Sequence, residues 1–280
     1  MTIQELRKLG KDKLINANVS DASIKSDILL QYVLNANKMN LIVNSSKEVL
    51  EIEVEKYFKY INEVVEGKPV QYITNEQEFM KLKFYVDQNV LIPQPDTEIL
   101  VEEALKKIKA QNSILDLCTG SGAIAVALGY YTQKELKTKI YASDISKEAL
   151  EIARKNAMTN RVDIVDIISN MFENMQELKF DIIVSNPPYI EKNVIPTLSK
   201  EVQNEPCIAL DGGIDGLDYY RIIAKEGHKY IKQGGYILVE IGYNQKESVI
   251  DIFNEEGKYT EIKCIQDLSG KDRVIEVKVK

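Results

Sequence analysis

The chain has little with which to build a conventional general base or a metal centre. It holds one histidine, His228, and no partner motif surrounds it, so it reads as a surface or helix-end residue and not a proton shuttle. The three cysteines, Cys118, Cys207 and Cys264, are odd in number and widely spaced. They form neither a disulfide framework nor a metal-ligand pattern, which points to a reducing compartment, the cytoplasm. No apolar run reaches the roughly 18–20 residues of a membrane span. The first residues, Met1-Thr2-Ile3-Gln4-Glu5-Leu6-Arg7-Lys8, lack the basic-then-apolar profile of a secretory signal. A basic surplus is missing too. Lys and Arg number 36 against 43 Asp and Glu, a net charge of −7, which argues against an extended phosphate-binding surface and stable nucleic-acid binding. There are no internal repeats and no low-complexity segment.

What is present is ordinary globular composition, 44% hydrophobic and 28% charged over 280 residues, enough for one large domain and a small one. Residues 1 to about 70 read as helical, with apolar residues recurring at three- and four-residue steps through Leu6, Leu9 and Leu14, then Ile24, Ile28 and Val33, then Val54, Phe58, Ile61 and Val65. Asp21 or Ser23 is placed to cap the second helix, and Gly67-Lys68-Pro69 stops the last. Glu78–Met80 and Leu82–Val86 suit a short hairpin. A proline-rigid connector, Leu91-Ile92-Pro93-Gln94-Pro95-Asp96, leads to Asp96-Thr97-Glu98, read as the cap of the next helix.

From about residue 97 strands and helices alternate. The strands are Ile114–Leu117, Ile140–Ser143, Val162–Ile168, Phe180–Ser185, Gly235–Glu240, Tyr259–Cys264 and Val274–Val279. Helices Ala123–Leu128, Lys147–Met158 and Tyr219–Ile231 separate most of them. Seven strands so connected predict an α/β layer fold with a mainly parallel sheet, and the last two, with no helix between them, an antiparallel pair. The chain is thus divided into a helical region at residues 1–70, a hairpin and linker at 71–96 and an α/β domain at 97–280.

Asp116-Leu117-Cys118-Thr119-Gly120-Ser121-Gly122-Ala123 lies between the first sheet strand and its helix. Gly120 and Gly122 permit a tight turn and close approach of a ligand to the backbone. Asp144 ends the next strand, where a carboxylate accepts both hydroxyls of a ribose. This much also fits a nicotinamide dinucleotide. Two features favour S-adenosylmethionine instead: Asp116, expected to repel a pyrophosphate but tolerate an ammonium or sulfonium, and the end of the fourth strand, which has no role in hydride transfer.

That end reads Val184-Ser185-Asn186-Pro187-Pro188-Tyr189. Two prolines fix φ near −65° and remove two N–H donors, so the strand stops at Asn186. The Asn186 side-chain oxygen and the Pro187 carbonyl are left as acceptors and Tyr189 as a flat wall, an arrangement suited to holding a planar –NH2 group by both hydrogens. Such a nitrogen is a poor nucleophile because its lone pair is delocalised. Two acceptors orient it toward a sulfonium methyl and favour the positive charge that develops there. Ligands in open α/β sheets bind outside the strand carboxyl ends, so Asp116, Asp144 and Asn186 are expected to converge on one crevice. The loop Gly212-Gly213 to Gly216 is expected to wall the substrate cleft.

These stretches, with Leu91 to Glu98, Glu205-Pro206, Ala209 to Asp218, Glu240-Ile241-Gly242 and Asp267 to Arg273, resemble the protein-glutamine methyltransferases of peptide-chain release factors, the PrmC/HemK family. The resemblance implies a Rossmann-like class I methyltransferase domain with a seven-stranded sheet whose last strand is antiparallel. It also implies a small all-α N-terminal domain that recruits the release factor, joined by a β-hairpin linker. The implied reaction is methylation of the amide nitrogen of the glutamine in the factor's Gly-Gly-Gln motif, tuning translation termination. The implied partner is a class 1 release factor, bound by a monomer. By position, Asp116, Cys118, Thr119, Gly120, Ser121 and Gly122 contact S-adenosylmethionine, Asp144 its ribose and Met171 or Phe172 its adenine, while Asn186, Pro187, Pro188 and Tyr189 hold the glutamine. Three positions depart from the family pattern. Gln94 replaces an arginine, Asn170-Met171 an Asp-aromatic pair, and Cys118 a glycine, acceptable if its φ is negative. The rival readings are methylation of an exocyclic base amine in DNA or RNA, methylation of a ribosomal-protein glutamine, and cofactor or ribosome binding without turnover.

Overall fold

The computed structural model describes all 280 residues, which fall into two compact units, residues 1–75 with 198–204, and residues 76–197 with 205–280. The first unit contains α1 (Ile3–Asn16), α2 (Ala22–Leu34), α3 (Lys38–Val43), α4 (Glu51–Val65) and α5 (Val70–Thr74). Thr2 starts α1 through a capping box. Its hydroxyl accepts from Glu5 N and its own N–H donates to the Glu5 carboxylate. Neither residue foreseen as the cap of α2 acts as one. Asp21 sits at the cap position in the left-handed region (φ 51°) and its side chain makes no cap bond, and Ser23 is already inside the helix. The core of this unit joins Leu6 and Leu14 of α1, Leu29 and Leu30 of α2, and Tyr57 and Ile61 of α4. Gly10 lets α1 lie against Tyr57, whose hydroxyl is 2.6 Å from Ser26 Oγ. A Cβ on Gly10 would come within 1.9 Å of that hydroxyl. As foreseen, α4 stops before Gly67, which has φ +104°.

The second unit opens with the hairpin β1 (Gln77–Phe79) and β2 (Leu82–Phe84), followed by α6 (Glu98–Leu105), β3 (Ser113–Leu117), α7 (Ala123–Leu136), β4 (Lys139–Asp144), α8 (Lys147–Asn160), β5 (Ile164–Ile168) and β6 (Phe180–Ser185). After the short α9 (Lys200–Gln203), which belongs to the first unit, come α10 (Asp218–Glu226), β7 (Ile231–Glu240), α11 (Lys246–Glu255), β8 (Tyr259–Gln266) and β9 (Asp272–Val279). The seven strands run in the order β5-β4-β3-β6-β7-β9-β8. All neighbours are parallel except at β9, which is antiparallel to both β7 and β8, so the last strand alone is reversed, as the sequence predicts. Alternate residues fill the two faces. Ile114, Ile182 and Val184 pack with α6, α7 and the hairpin, while Leu115, Ile183 and Val239 pack with Tyr220, Ile223 and Phe253 of α10 and α11. The chain order reverses between β3 and β6, so the carboxyl ends of β3, β4 and β6 diverge around a crevice.

Some boundaries move for tertiary reasons. The helix expected to end at Leu128 continues to Leu136, because Gly129 is a packing residue. A Cβ there would meet Val162 Cγ1 at 2.3 Å. The helix expected over Tyr219–Ile231 ends at Glu226, passes through a 3-10 turn (Gly227–Lys229) that contains His228, and Ile231 already begins β7.

Gly10→Ala is expected to lower the unfolding free energy by about 1–3 kcal/mol, because the overpacking and the loss of the Tyr57–Ser26 bond outweigh alanine's better helix propensity. Urea denaturation checks this, and an unchanged or raised midpoint would refute the packing argument.

Candidate functional site

The turn between β3 and α7 is built by alternating left-handed residues, Cys118 (φ +62°), Gly120 (φ +53°) and Gly122 (φ +79°). The two glycines serve different ends. A Cβ on Gly120 would meet nothing within 4 Å, so its face is open, whereas one on Gly122 would lie 2.9 Å from Ala153 Cβ. Gly122 is there for the close packing of α7 on α8 and does not line the cleft. The condition under which Cys118 would be easily accepted, a negative φ, is not met. A side chain stands in a glycine conformation, at a cost of roughly 1–2 kcal/mol. Its sulfur lies 3.8 Å from Met171 Sδ, and burial pushes the thiol's pKa up, which leaves it unreactive.

Asp116 is also placed differently from expectation. It is fully buried and lies beneath the turn, outside the cleft lining. Its Oδ2 accepts from Thr119 Oγ1 (2.5 Å) and from Ala125 N (3.0 Å), which ties the turn to the first turn of α7, while Oδ1 has no partner. Burial pushes its pKa up to about 7. Its role is to build the turn.

Asp144 does face the cleft. Its two oxygens accept from Gly120 N (2.8 Å) and Ser146 N (2.9 Å), which fixes the carboxylate between the glycine turn and the start of α8, where Ser146 Oγ caps the helix through Ala149 N. Burial raises its pKa, and the N–H groups of Ser146 and Gly120 oppose that rise. Ser143, just before it, is a site residue that the sequence reading missed. It is fully buried and lines the cleft, and its hydroxyl has no partner. Its place one residue before a strand-end acid was the only available signal.

Beyond β5, Ser169, Asn170 and Met171 line the cleft. Met171 is held at φ 48°, with the Ser169 hydroxyl donating to its carbonyl (2.8 Å). Phe172 turns away into the core and stacks on Tyr230, with centroids 4.8 Å apart and planes at 6°, so the aromatic alternative for that wall is lost.

At the end of β6, Asn186 and Pro188 line the cleft. Asn186 Nδ2 donates to Thr97 Oγ1 at 3.1 Å, which leaves Oδ1 as the exposed acceptor. Thr97, read as a helix cap, makes no cap bond. Pro187 and Tyr189 lie behind this edge. The Pro187 carbonyl accepts no hydrogen bond from within the chain. Tyr189 Oη reaches Glu240 Oε1 (3.3 Å) and its carbonyl accepts from Gln245 Nε2 (3.0 Å). The glycine loop braces this segment from behind and does not itself wall the cleft. A Cβ on Gly212 would come 2.7 Å from Tyr189 Cα, and one on Gly216 2.4 Å from the Tyr189 carbonyl. The loop's flanks, Ile208, Ala209 and Tyr219, do line the cleft. On the other side the connector is pinned by Ile92 N on Glu205 (2.9 Å). Gln94, also lining the cleft, folds its amide onto the Ile92 carbonyl (2.9 Å).

Of the residues foreseen, the cleft thus brings together Cys118, Thr119, Gly120, Ser121, Asp144, Met171, Asn186 and Pro188, and His228 stays outside it. No cluster of histidine, cysteine and acidic residues suits a metal ion, and no helix is long and apolar enough to cross a membrane.

Known proteins resemble the chain along nearly its whole length. Residues 5–74 match the family model described as the PrmC N-terminal domain, and residues 94–205 that of the methyltransferase small domain. The chain is 42% identical over 259 residues to the release factor glutamine methyltransferase of Clostridium acetobutylicum, covering 89% of each. It is 39% identical over 285 residues to that of Clostridium botulinum, covering 99% of each. A crystal structure of a methyltransferase from Pyrococcus furiosus shares the fold at TM-score 0.52 and 20% identity, over 71% of this chain and 89% of that one.

Asp116 gives a pH test of the site's construction. Its pKa is raised on folding, so the cost of ionising it grows as pH rises from the unfolded value toward about 7. The stability of the parent relative to Asp116→Asn is therefore expected to fall between about pH 4 and about pH 7 and to level off above that. Denaturant titrations across that range check it, and a constant difference would mean that Asp116 is not buried as described.

Proposed function

Because the chain belongs to the family of release factor glutamine methyltransferases, we propose that it transfers a methyl group from S-adenosylmethionine to the side-chain amide nitrogen of the Gly-Gly-Gln glutamine of a class 1 release factor. The observation that carries the reading is the fixed amide of Asn186, whose donor half is engaged by Thr97 while its acceptor half faces the cleft.

The cleft suits this cofactor. The uncovered face of Gly120 gives a cradle, the unpartnered Ser143 hydroxyl awaits a polar group, and the Asp144 carboxylate is already oriented. Thr119 to Ser121 would hold the amino-acid end, Asp144 the ribose and Met171 the adenine side. When bound, S-adenosylmethionine supplies an electrophilic methyl and a neutral thioether leaving group. The chain's own part is alignment. Asn186 Oδ1 and the Pro187 carbonyl take the two amide hydrogens of the glutamine, and Tyr189 backs the planar group. Held in this way, the amide nitrogen would be in line to take the methyl carbon, the electron pair of the carbon–sulfur bond passing to the departing neutral thioether. One acceptor-held proton then leaves the alkylated nitrogen to water. It is acidic at that stage, so the single histidine need not take part.

The helical unit recruits the factor in this reading. Its stretch from Met39 to Ile52 leaves Met39, Ile42, Val43, Leu50 and Ile52 exposed, more apolar surface than a solvated helix requires. The enzyme acts as a monomer without stable nucleic-acid binding.

Labelled methyl transfer from S-adenosylmethionine tests the reading, with unmethylated release factor, a Gly-Gly-Ala factor, bulk RNA and bulk DNA as parallel acceptors. Label on the wild-type factor alone is expected, whereas label confined to nucleic acid would overturn the substrate. Asn186→Ala is expected to lower kcat by about 100-fold or more, as loss of one oriented transition-state contact does, while cofactor Kd changes far less. Equal losses in both would make Asn186 a cofactor ligand.

A further inference from the structure

Behind the Asn-Pro-Pro-Tyr edge one side-chain amide, that of Gln245, joins three separate segments of backbone. Gln245 stands at the cap position of α11, yet its side chain makes no cap bond to that helix. It is 9% exposed and is turned onto the edge instead. Nε2 donates to the Tyr189 carbonyl (3.0 Å) and to the Gly216 carbonyl (3.2 Å), and Oε1 accepts from Gly242 N (2.9 Å). Both N–H groups of the amide are thereby used, and neither carbonyl has another donor within the chain. The two glycines are bare where the amide lies. A Cβ on Gly216 would come 2.8 Å from Nε2, and one on Gly242 2.9 Å from Oε1.

The grip on Tyr189 matters because of what precedes it. Upstream, β6 is fixed as far as Ser185 by pairing with Leu117 and Val239. Downstream, Ile190 is bridged to Asp211. Between these anchors the rings of Pro187 and Pro188 lock φ, so the Pro187 carbonyl can turn only by rotation about ψ, and each such rotation swings the Tyr189 peptide with it. A Tyr189 carbonyl held by Gln245 blocks that movement. Without the two N–H groups of Gln245 the Tyr189 carbonyl loses its donor, a loss that a half-buried backbone relieves by turning toward another partner. The Pro187 carbonyl then turns with it.

We propose that Gln245 is a positioning residue for methyl transfer. By holding the Tyr189 carbonyl it fixes the direction of the Pro187 carbonyl, one of the two acceptors that take the hydrogens of the substrate amide. The inference rests on the reading of that carbonyl given above. It requires the amide and not merely a side chain of this size. Glutamate at this position keeps an oxygen for Gly242 N but sets a second oxygen against two carbonyls, and methionine keeps the length but supplies no N–H.

The test is the single-turnover rate at saturating S-adenosylmethionine and release factor, together with KM for the factor and calorimetric Kd for the cofactor. Q245E and Q245M are each expected to lower the rate about 10- to 100-fold, the scale of a misplaced catalytic contact, while KM and Kd stay within about threefold of the parent. A role confined to the Gly242 turn predicts otherwise, since Q245E keeps that bond and would then turn over at the parental rate. G242A leaves Gln245 in place but displaces its amide, and is expected to cost about 3- to 10-fold in rate. It keeps the test decisive should the Gln245 variants fail to fold. A parental rate in Q245E or in G242A, or a cofactor Kd that worsens in step with the rate, would each overturn the proposal. If the parent does not methylate the factor, the functional reading falls and this inference with it. If the parent methylates the factor and N186A is inactive while Q245E is silent, only the role of Gln245 falls.

Discussion

Strand β6 stops at Asn186, and the site depends on how it stops. Two prolines supply no N–H groups, so ending a buried strand there orphans no donors, and orphaned donors are what interiors tolerate least. What remains are acceptors, the Asn186 oxygen and the Pro187 carbonyl. Unsatisfied acceptors are easier to keep and await a donor-rich guest. The surroundings hold this edge from three sides. Thr97 engages the Asn186 donor, Gln245 the Tyr189 carbonyl, and Gly212 and Gly216 come within van der Waals reach of the Tyr189 backbone, where any side chain would displace it.

The buried carboxylates illustrate how environment divides labour among like residues. Asp144 has both oxygens fixed by backbone N–H groups and faces the cleft. Asp116 has one oxygen doubly bonded and one empty, lies below the turn, and titrates near 7. Glu240 also titrates near 7, with one empty oxygen, beside Arg273. Desolvation raises all three, and the hydrogen bonds each receives decide which can work as a fixed charge at neutral pH. The glycine turn carries its own cost, since Cys118 and Met171 both stand at positive φ and lean on each other through their sulfurs.

The sequence revealed the parts that depend on neighbours in the chain. The proline stop after Asn186, the turn at Gly120, the acid closing β4 and the reversal of the last strand all follow from local pattern. The hidden parts arise from residues far apart in sequence. Thr97 and Asn186 are 89 positions apart and Tyr189 and Glu240 51, so no spacing rule joins them. Gly122 reads from sequence as a ligand residue, and the expected helix ends one residue before Gly129. Both glycines are packing residues because Ala153 and Val162, brought up by other elements, occupy the space a side chain would need. Asp116 could not be assigned from periodicity, since a strand-end acid faces either the crevice or the turn beneath it, and the Thr119 hydroxyl decides which.

That correction bears on the choice of cofactor. A repulsive Asp116 in the cleft would have argued against a pyrophosphate, but Asp116 is not there. A stronger argument takes its place. A dinucleotide fold binds its pyrophosphate with the N–H groups of the glycine turn and the first turn of the helix. In this chain Thr119 N bonds Ser143 O and Gly122 N bonds Thr119 O, Gly120 N bonds the Asp144 carboxylate and Ala125 N bonds Asp116. Four of the donors that would grip a phosphate are already satisfied, two of them by carboxylates. The turn therefore has few free donors for a diphosphate, and the Asp144 carboxylate beside it repels one while suiting a ligand with a cationic sulfonium and a free ribose. The hydroxyl of Ser143 remains the unmatched polar group in that wall, and a neutral, hydrogen-bonding portion of the cofactor is what it can accept without disturbing the charges around it.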